Sequence, residues 1–214
     1  MVEYTPPYAE YEFLFNEVFD VYDSISGIDH EEFDAVFVRM IMEGWGEYCT
    51  EVLLPINEIG DREGLTFEAG EVTMPTGFVD AWKEGVEAGW FATICKPEHG
   101  GMGLPHVFRN AMDEIAISTN MALSVVPALG LGVYDLVTGH GTNELIDHYS
   151  ANLATGLWCG TMCLTEPHAG TDLGIIRTKA IPQEDGTYRV TGTKIFITAG
   201  EHDLSDNIVH MVIA

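Results

Sequence analysis

From Tyr11 onward the apolar positions fall at offsets 0, 3, 4, 7, 8 and 11, through Leu14, Phe15, Val18, Phe19 and Tyr22. That spacing is one face of an amphipathic helix. Pro6 and Pro7 block a helix before it. The face is strongly aromatic and has to dock, on the body of the chain first and on a neighbouring subunit second. After a turn near Ser26 and Gly27, a second helical pattern runs through Phe33, Val36, Phe37, Met40 and Ile41 to Tyr48 and Val52. Pro55 is expected to end it. Glu31, Glu32 and Asp34 stand in its first turn, where the helix dipole favours negative charge.

Residues 57–75 are polar and carry Gly60, Gly64 and Gly70, which predicts an exposed connection. Thr76 is placed to cap a helix bearing Phe78, Trp82 and Val86. Helical spacing returns at Met112, Ile115, Ala116 and Thr119 and continues through the apolar run 121–137. That run is short of the ~20 residues of a membrane span and is broken by Pro127, Gly130, Gly132 and Asp135, so it is expected to be a buried core helix. A last helix, capped by Thr142, presents Leu145, Ile146, Tyr149 and Leu153. Short polar joints between apolar-faced helices describe a bundle.

At Leu157 the period shifts toward two. Short runs appear at 161–165, 174–181, 188–191 and 195–198, with a turn signal at Asp185-Gly186. The fold class is therefore α+β and multidomain: an all-α amino-terminal helical bundle over 1–157, then a truncated antiparallel β-barrel or sandwich over 158–214. The last strand, 208–214, has no visible terminator and would leave an open edge, so the chain is expected to be the front portion of a longer protein.

Composition narrows the function classes. Hydrophobic residues make up 46% of 214, which argues for an ordered core. There are 34 acidic and 9 basic residues, a net charge of −25. Such a surface repels nucleic acid and anionic membranes, so neither is expected as a partner. Four cysteines, with no charged and apolar leader, point to a reducing cytoplasm. Cys159, Cys163 and His168 do not match metal-ligand spacing, and all four thiols are expected to be buried. The glycines of KPEHGGMGLP fail the dinucleotide pattern, because His106 stands where the last glycine belongs. GTYRVTGTK likewise lacks the glycine spacing of a phosphate loop.

Two stretches carry chemistry, MCLTEPHAGTD at 162–172 and KIFITAG at 194–200. A flavin ring needs hydrogen-bonding groups along its pyrimidine edge and near N5, with a flat apolar wall. Strand alternation would put Phe196 and Thr198 on one face and Ile195 and Ile197 on the other. The bland alternative is that TEPHAGTD is a tight turn whose threonines satisfy the backbone.

A helical amino-terminal region, LTEPHAGTD, then TGTKIFITAG resembles the acyl-CoA dehydrogenase family of flavoproteins. KPEHGGMGLP is similar to the family's glycine-bearing helical motif, and YTPPYAEYEFLFNEVF with FITAGEHDL resembles the enlarged subgroup that includes methylthiopropanoyl-CoA dehydrogenases. The resemblance implies FAD as cofactor, met by Met162, Cys163, Leu164 and Thr165 at the pyrimidine edge, by Gly170 and Thr171 near the pyrophosphate and the CoA arm, and by Phe196, Ile197 and Thr198. Thr171 also counts among the substrate-facing residues, with Met121, Ser124 and Val125 along the acyl chain. Thr171 replaces the usual serine, His168 a small residue and Phe196 the usual tryptophan. The implied reaction is α,β-dehydrogenation of an acyl-CoA, in which a glutamate takes the α proton, the β hydrogen leaves as hydride, and electrons pass to an electron-transfer flavoprotein. That glutamate belongs to a carboxy-terminal helical domain beyond these residues, so no catalytic base is assigned. Glu166 and Glu201 are read as turn and hydrogen-bonding groups. These 214 residues alone are expected to be inactive or nearly so, and the full-length enzyme to be a homo-oligomer. An oxygen-using acyl-CoA oxidase and a non-catalytic binding relative are the alternatives on the same fold.

Overall fold

The computed structural model describes residues 3–25 and 33–214. The turn expected at Ser26 and Gly27, and Glu31 and Glu32, lie outside the described residues. Helix α1 covers Tyr8–Phe13 and passes into a single π turn, Leu14–Val18. Asp20, at φ 46°, then breaks the chain before α2, Val21–Ile25. The break changes which residues face inward. Tyr11, Phe15 and Val21 are buried, whereas Val18 and Phe19, expected on the same face, are exposed. A widened turn moves later residues off a stripe drawn at 3.6 residues per turn.

Helix α3, Ala35–Tyr48, is capped by Asp34, whose Oδ1 accepts the Phe37 amide at 2.8 Å. Pro55 does not end the helical run. The chain passes through a π turn, Cys49–Leu53, into α4, Leu54–Glu63, with Pro55 in its first turn. Proline is tolerated there because that amide has no intrahelical partner anyway. The polar stretch expected as plain connection therefore holds the end of α4 and a small hairpin, β1 (Thr66–Glu68) with β2 (Glu71–Thr73). Helix α5, Phe78–Glu87, is preceded by Gly77 at φ 87° rather than capped by Thr76, whose amide donates to Glu63 Oε2 at 2.8 Å.

KPEHGGMGLP folds back on the chain before it. Gly101 N–H donates to Lys96 C=O, Gly103 N–H to Cys95 C=O and Leu104 N–H to Thr93 C=O. A Cβ on Gly101 would collide with the Cys95 carbonyl, so this glycine serves close packing rather than phosphate binding.

Helix α6, His106–His140, is the spine of the molecule. It is longer than its apolar run and, by length and composition alone, long enough to cross a membrane. Its buried stripe, including Phe108, Met112, Ile115, Leu123 and Val126, joins the main core. Trp45, 1% exposed, donates its indole N–H to Met112 C=O at 2.7 Å. Each large apolar side chain sequestered here contributes about 1.5–3 kcal/mol. At Asn120 (φ −153°, ψ 87°) the helix kinks and restarts. Asn120 is fully buried: its Oδ1 accepts the Leu123 amide at 3.1 Å and its Nδ2 donates to Leu53 C=O at 3.2 Å. Helix α7, Asn143–Thr155, begins as expected, with the Thr142 hydroxyl accepting the Leu145 amide at 3.4 Å.

Strand β3, Cys159–Cys163, packs directly on α6. The approach is close enough that a Cβ on Gly160 would meet Val133 Cγ2 at 2.7 Å. Strands β4 (Lys179–Pro182) and β5 (Tyr188–Thr191) form an exposed antiparallel hairpin. Its turn holds Gly186 at φ 83°, and Asp185 Oδ1 accepts the Thr187 amide at 2.9 Å. Strand β6, Ile208–Val212, departs from the antiparallel expectation, pairing parallel with β3 from Cys159↔Ile208 to Cys163↔Val212. Residues 164–207 form the long crossover that a parallel pair requires. Among the described residues, 195–198, expected as a strand, have no ladder partner, and of the expected strand at 174–181 only its end is found, in β4.

Candidate functional site

The two motif stretches lie against each other. Ile195 N–H donates to Thr165 C=O at 2.9 Å, and Lys194 Nζ reaches both Leu164 C=O (2.9 Å) and Glu166 Oε1 (3.0 Å). Glu166, 3% exposed, is the knot: it also accepts the Arg177 amide at 2.8 Å, the Thr178 amide at 2.9 Å and the Thr178 hydroxyl at 2.5 Å. The Thr178 hydroxyl, the two amides and the Lys194 ammonium hold its carboxyl far below the usual range, so it is ionised and committed. Glu166 is a structural hydrogen-bonding group, as the sequence indicates. A Glu166–Ala169 bridge closes the turn, and His168 Nε2 sits 3.1 Å from Ile175 C=O.

The proposed flavin residues are spread along both stretches. Met162 and Cys163 end β3, with backbone paired to Met211 and Val212. Leu164 and Thr165 come next, while Gly170 and Thr171 stand exposed at the far end of the turn. Among the described residues, the hydroxyls of Thr165, Thr171 and Thr198 hold no partner within the protein, which leaves all three for a polar ring edge or phosphate chain. Phe196 (φ 58°) and Ala199 (φ 53°) are both left-handed, and they bracket Ile197 and Thr198. Non-glycine residues held there cost about 1–3 kcal/mol each, and such strain concentrates at binding sites. The same backbone overturns the alternation argument. Phe196 is 87% exposed and is not set beside Thr198 by a pleat.

Next to this junction lies an apolar cavity of about 440 Å³. One wall is the end of α4 and the hairpin region, including Leu65, Val72, Met74 and Phe78. The second is α6 just past the kink, at Ala122, Val125 and Val126, and the third is the turn 197–202. Asp203 Oδ1 accepts the Met74 amide at 2.9 Å, joining the first wall to the third. Of the three acyl-chain candidates on α6, the structure brings only Val125 into this cavity. Met121 is 61% exposed, and Ser124 donates to Asn120 C=O at 2.7 Å and lines a narrow crevice beneath Trp45 and Tyr48. Ala122, Val126 and His202 were missed. The first two are one turn or less from Val125, and the histidine stands in a turn read only for its glycine. A second cavity of about 380 Å³, bordered by Glu3, Thr50 and Glu58, is lined by none of the motif residues.

All four cysteines are free and buried. Burial pushes Cys49 and Cys95 up to about 12 and Cys159 up to about 11. Among the described residues no cluster of three potential metal ligands occurs.

A kinked helical spine, a strand laid on it and a glutamate-knotted TEPHAGTD turn beside KIFITAG define the acyl-CoA dehydrogenase class. The chain belongs to that family: residues 38–157 match the model for the acyl-CoA dehydrogenase N-terminal domain. It is 45% identical to the 3-methylmercaptopropionyl-CoA dehydrogenase of Ruegeria pomeroyi over 185 residues, 86% of this chain but 32% of that protein. The chain thus spans about a third of the length of this curated relative. Solved structures share the fold. Butyryl-CoA dehydrogenase from Megasphaera elsdenii superposes with a TM-score of 0.69 at 21% identity, covering 84% of this chain and 44% of that one. An acyl-CoA dehydrogenase complexed with FAD from Bacillus anthracis gives 0.68 at 24% identity, covering 86% and 30%.

Proposed function

We propose that these residues supply the helical wall of the acyl pocket and the first edge of the flavin site in an FAD-dependent acyl-CoA dehydrogenase. The carrying observation is the Lys194–Glu166 clamp. It holds the two motif stretches together, which carry the unpartnered hydroxyls of Thr165, Thr171 and Thr198, and Thr198 lines the apolar cavity. A cavity of this volume, apolar with a few polar groups at one side, has the dimensions of a small-molecule site. Thr165 and the end of β3 would meet the flavin's pyrimidine edge, Gly170 and Thr171 its phosphate chain and the CoA arm, and Ile197 and Thr198 the central ring. Bound FAD would supply hydride acceptance, which no side chain here provides. Val125, with Ala122 and Val126, would pack on the acyl chain and exclude water. The electron acceptor would be an electron-transfer flavoprotein, and the setting cytoplasmic. The abundance of acidic residues supports partners other than nucleic acid.

Titrating FAD fluorescence with the chain tests this reading. Quenching by the wild type, weakened several-fold in Lys194→Met, is expected. Equal quenching by the two proteins would show that the clamp does not build the site.

A further inference from the structure

His202 has a role that the cradle does not use. It borders the apolar cavity and is 5% exposed. Its Nδ1 accepts the Leu204 amide at 3.2 Å, which places the ring proton on Nε2. That Nε2 is buried and has no partner among the described residues. A buried donor left unpaired is costly and is rare unless something else meets it. Burial lowers the imidazole's pKa from 6.5 against the pull of Glu201 and Asp203, so the ring is neutral near neutral pH and keeps this tautomer. Both neighbouring carboxylates are engaged with backbone: Glu201 Oε1 accepts the His202 amide at 3.2 Å and Asp203 holds Met74. Only Glu201 and His202 among the lining residues titrate. The remaining lining is apolar or glycine except for Thr198, which is exposed, so among the described residues Nε2–H is the one buried, uncommitted donor that the lining offers to an apolar guest.

We propose that His202 contacts the acyl chain, its Nε2–H donating to an acceptor atom within an otherwise apolar chain, so that the cavity favours acyl thioesters carrying such an atom over plain hydrocarbon ones. This rests on the reading of the cavity as an acyl pocket. Unlike shape selection by Val125, it is selection by one hydrogen bond, whose net worth corresponds to about a 2- to 10-fold preference.

The test is calorimetric titration of the chain with hexanoyl-CoA and with analogues in which an ether oxygen replaces successive chain methylenes. Wild type, His202→Phe, His202→Gln and Val125→Trp are compared. The proposal expects at least one analogue to gain about 2- to 10-fold over hexanoyl-CoA in wild type relative to His202→Phe, with part of the gain restored by His202→Gln, which keeps an N–H. It also expects the His202 Nε2 resonance of the wild-type protein to move on adding that analogue, a readout independent of how the variants fold. Hexanoyl-CoA binding that Val125→Trp abolishes, with the same analogue ratios in wild type and His202→Phe and an unmoved Nε2 resonance, overturns the role of His202 and leaves the acyl pocket standing. Binding that Val125→Trp does not alter, or no binding of any acyl-CoA, overturns the pocket reading and the role of His202 with it.

Discussion

Replacing Asn120 by leucine tests whether the kink in α6 is built by one side chain. Leucine keeps the number and branching of side-chain heavy atoms at a fully buried position and removes both polar contacts. The Leu123 amide loses the acceptor that caps the restarted helix, worth about 1 kcal/mol. The Leu53 carbonyl loses the Nδ2 donor and stays buried, at a cost of about 1–3 kcal/mol. Together the loss is about 2–4 kcal/mol, or roughly 4–16 °C in Tm for a chain of this size. Asn120→Asp keeps the capping acceptor but sets a carboxyl oxygen against the Leu53 carbonyl, so it does not rescue the protein. Thermal unfolding tracked by circular dichroism measures both variants. Because Ala122, Val125 and Val126 lie just past the kink and line the cavity, Asn120→Leu also weakens hexanoyl-CoA binding. A leucine variant within about 0.5 kcal/mol of wild type, the usual scatter of harmless substitutions, with unchanged ligand binding, would refute the assignment of the kink to Asn120.

Other outcomes are expected from the same structure. Gly160→Ala, whose Cβ would meet Val133, loses about 1–3 kcal/mol by overpacking the α6–β3 contact, read by urea unfolding. Glu166 stabilises the fold through a carboxyl whose pKa lies below the unfolded value of 4.5. Its contribution is complete above that value and declines as pH falls below it, so wild type and Glu166→Gln should differ in stability near neutrality and converge in acid. His202 works in the opposite region: with its pKa lowered from 6.5, the unfolded chain binds the proton first, so its contribution is complete above 6.5 and stability falls as pH drops below it, a slope that His202→Gln removes. Cys49, Cys95 and Cys159, buried with raised pKa values, resist a thiol reagent in the native protein and react once it is unfolded.

Much of this was legible in the chain. Apolar spacing located α3, α6 and α7, because long periodic segments bury a continuous stripe whatever their exact ends. Asp34 and Thr142 announced two helix starts. The helix joint at Pro55 was misread because a proline in a first turn and a proline after a last turn look alike along the sequence. The π turns at 14–18 and 49–53 have no sequence signature, and each shifts the phase of the helical residues after it. The motif residues were found, but their arrangement was not. An alternating pattern at 195–198 predicts a strand, whereas left-handed Phe196 and Ala199 and the Lys194 clamp hold an irregular crossing. The parallel pairing of β3 with β6 depends on contacts across residues 164–207, beyond what local pattern reports. His202 stayed hidden because its importance lies in being buried without a partner.

The central claim is that MCLTEPHAGTD and KIFITAG form one edge of a flavin site, and amide chemical-shift mapping during an FAD titration tests it most directly. The account predicts perturbations concentrated at Thr165, Gly170, Thr171, Ile197 and Thr198 and diminished throughout that set in Lys194→Met. Perturbations confined to other surfaces, or a pattern unchanged by Lys194→Met, would contradict it.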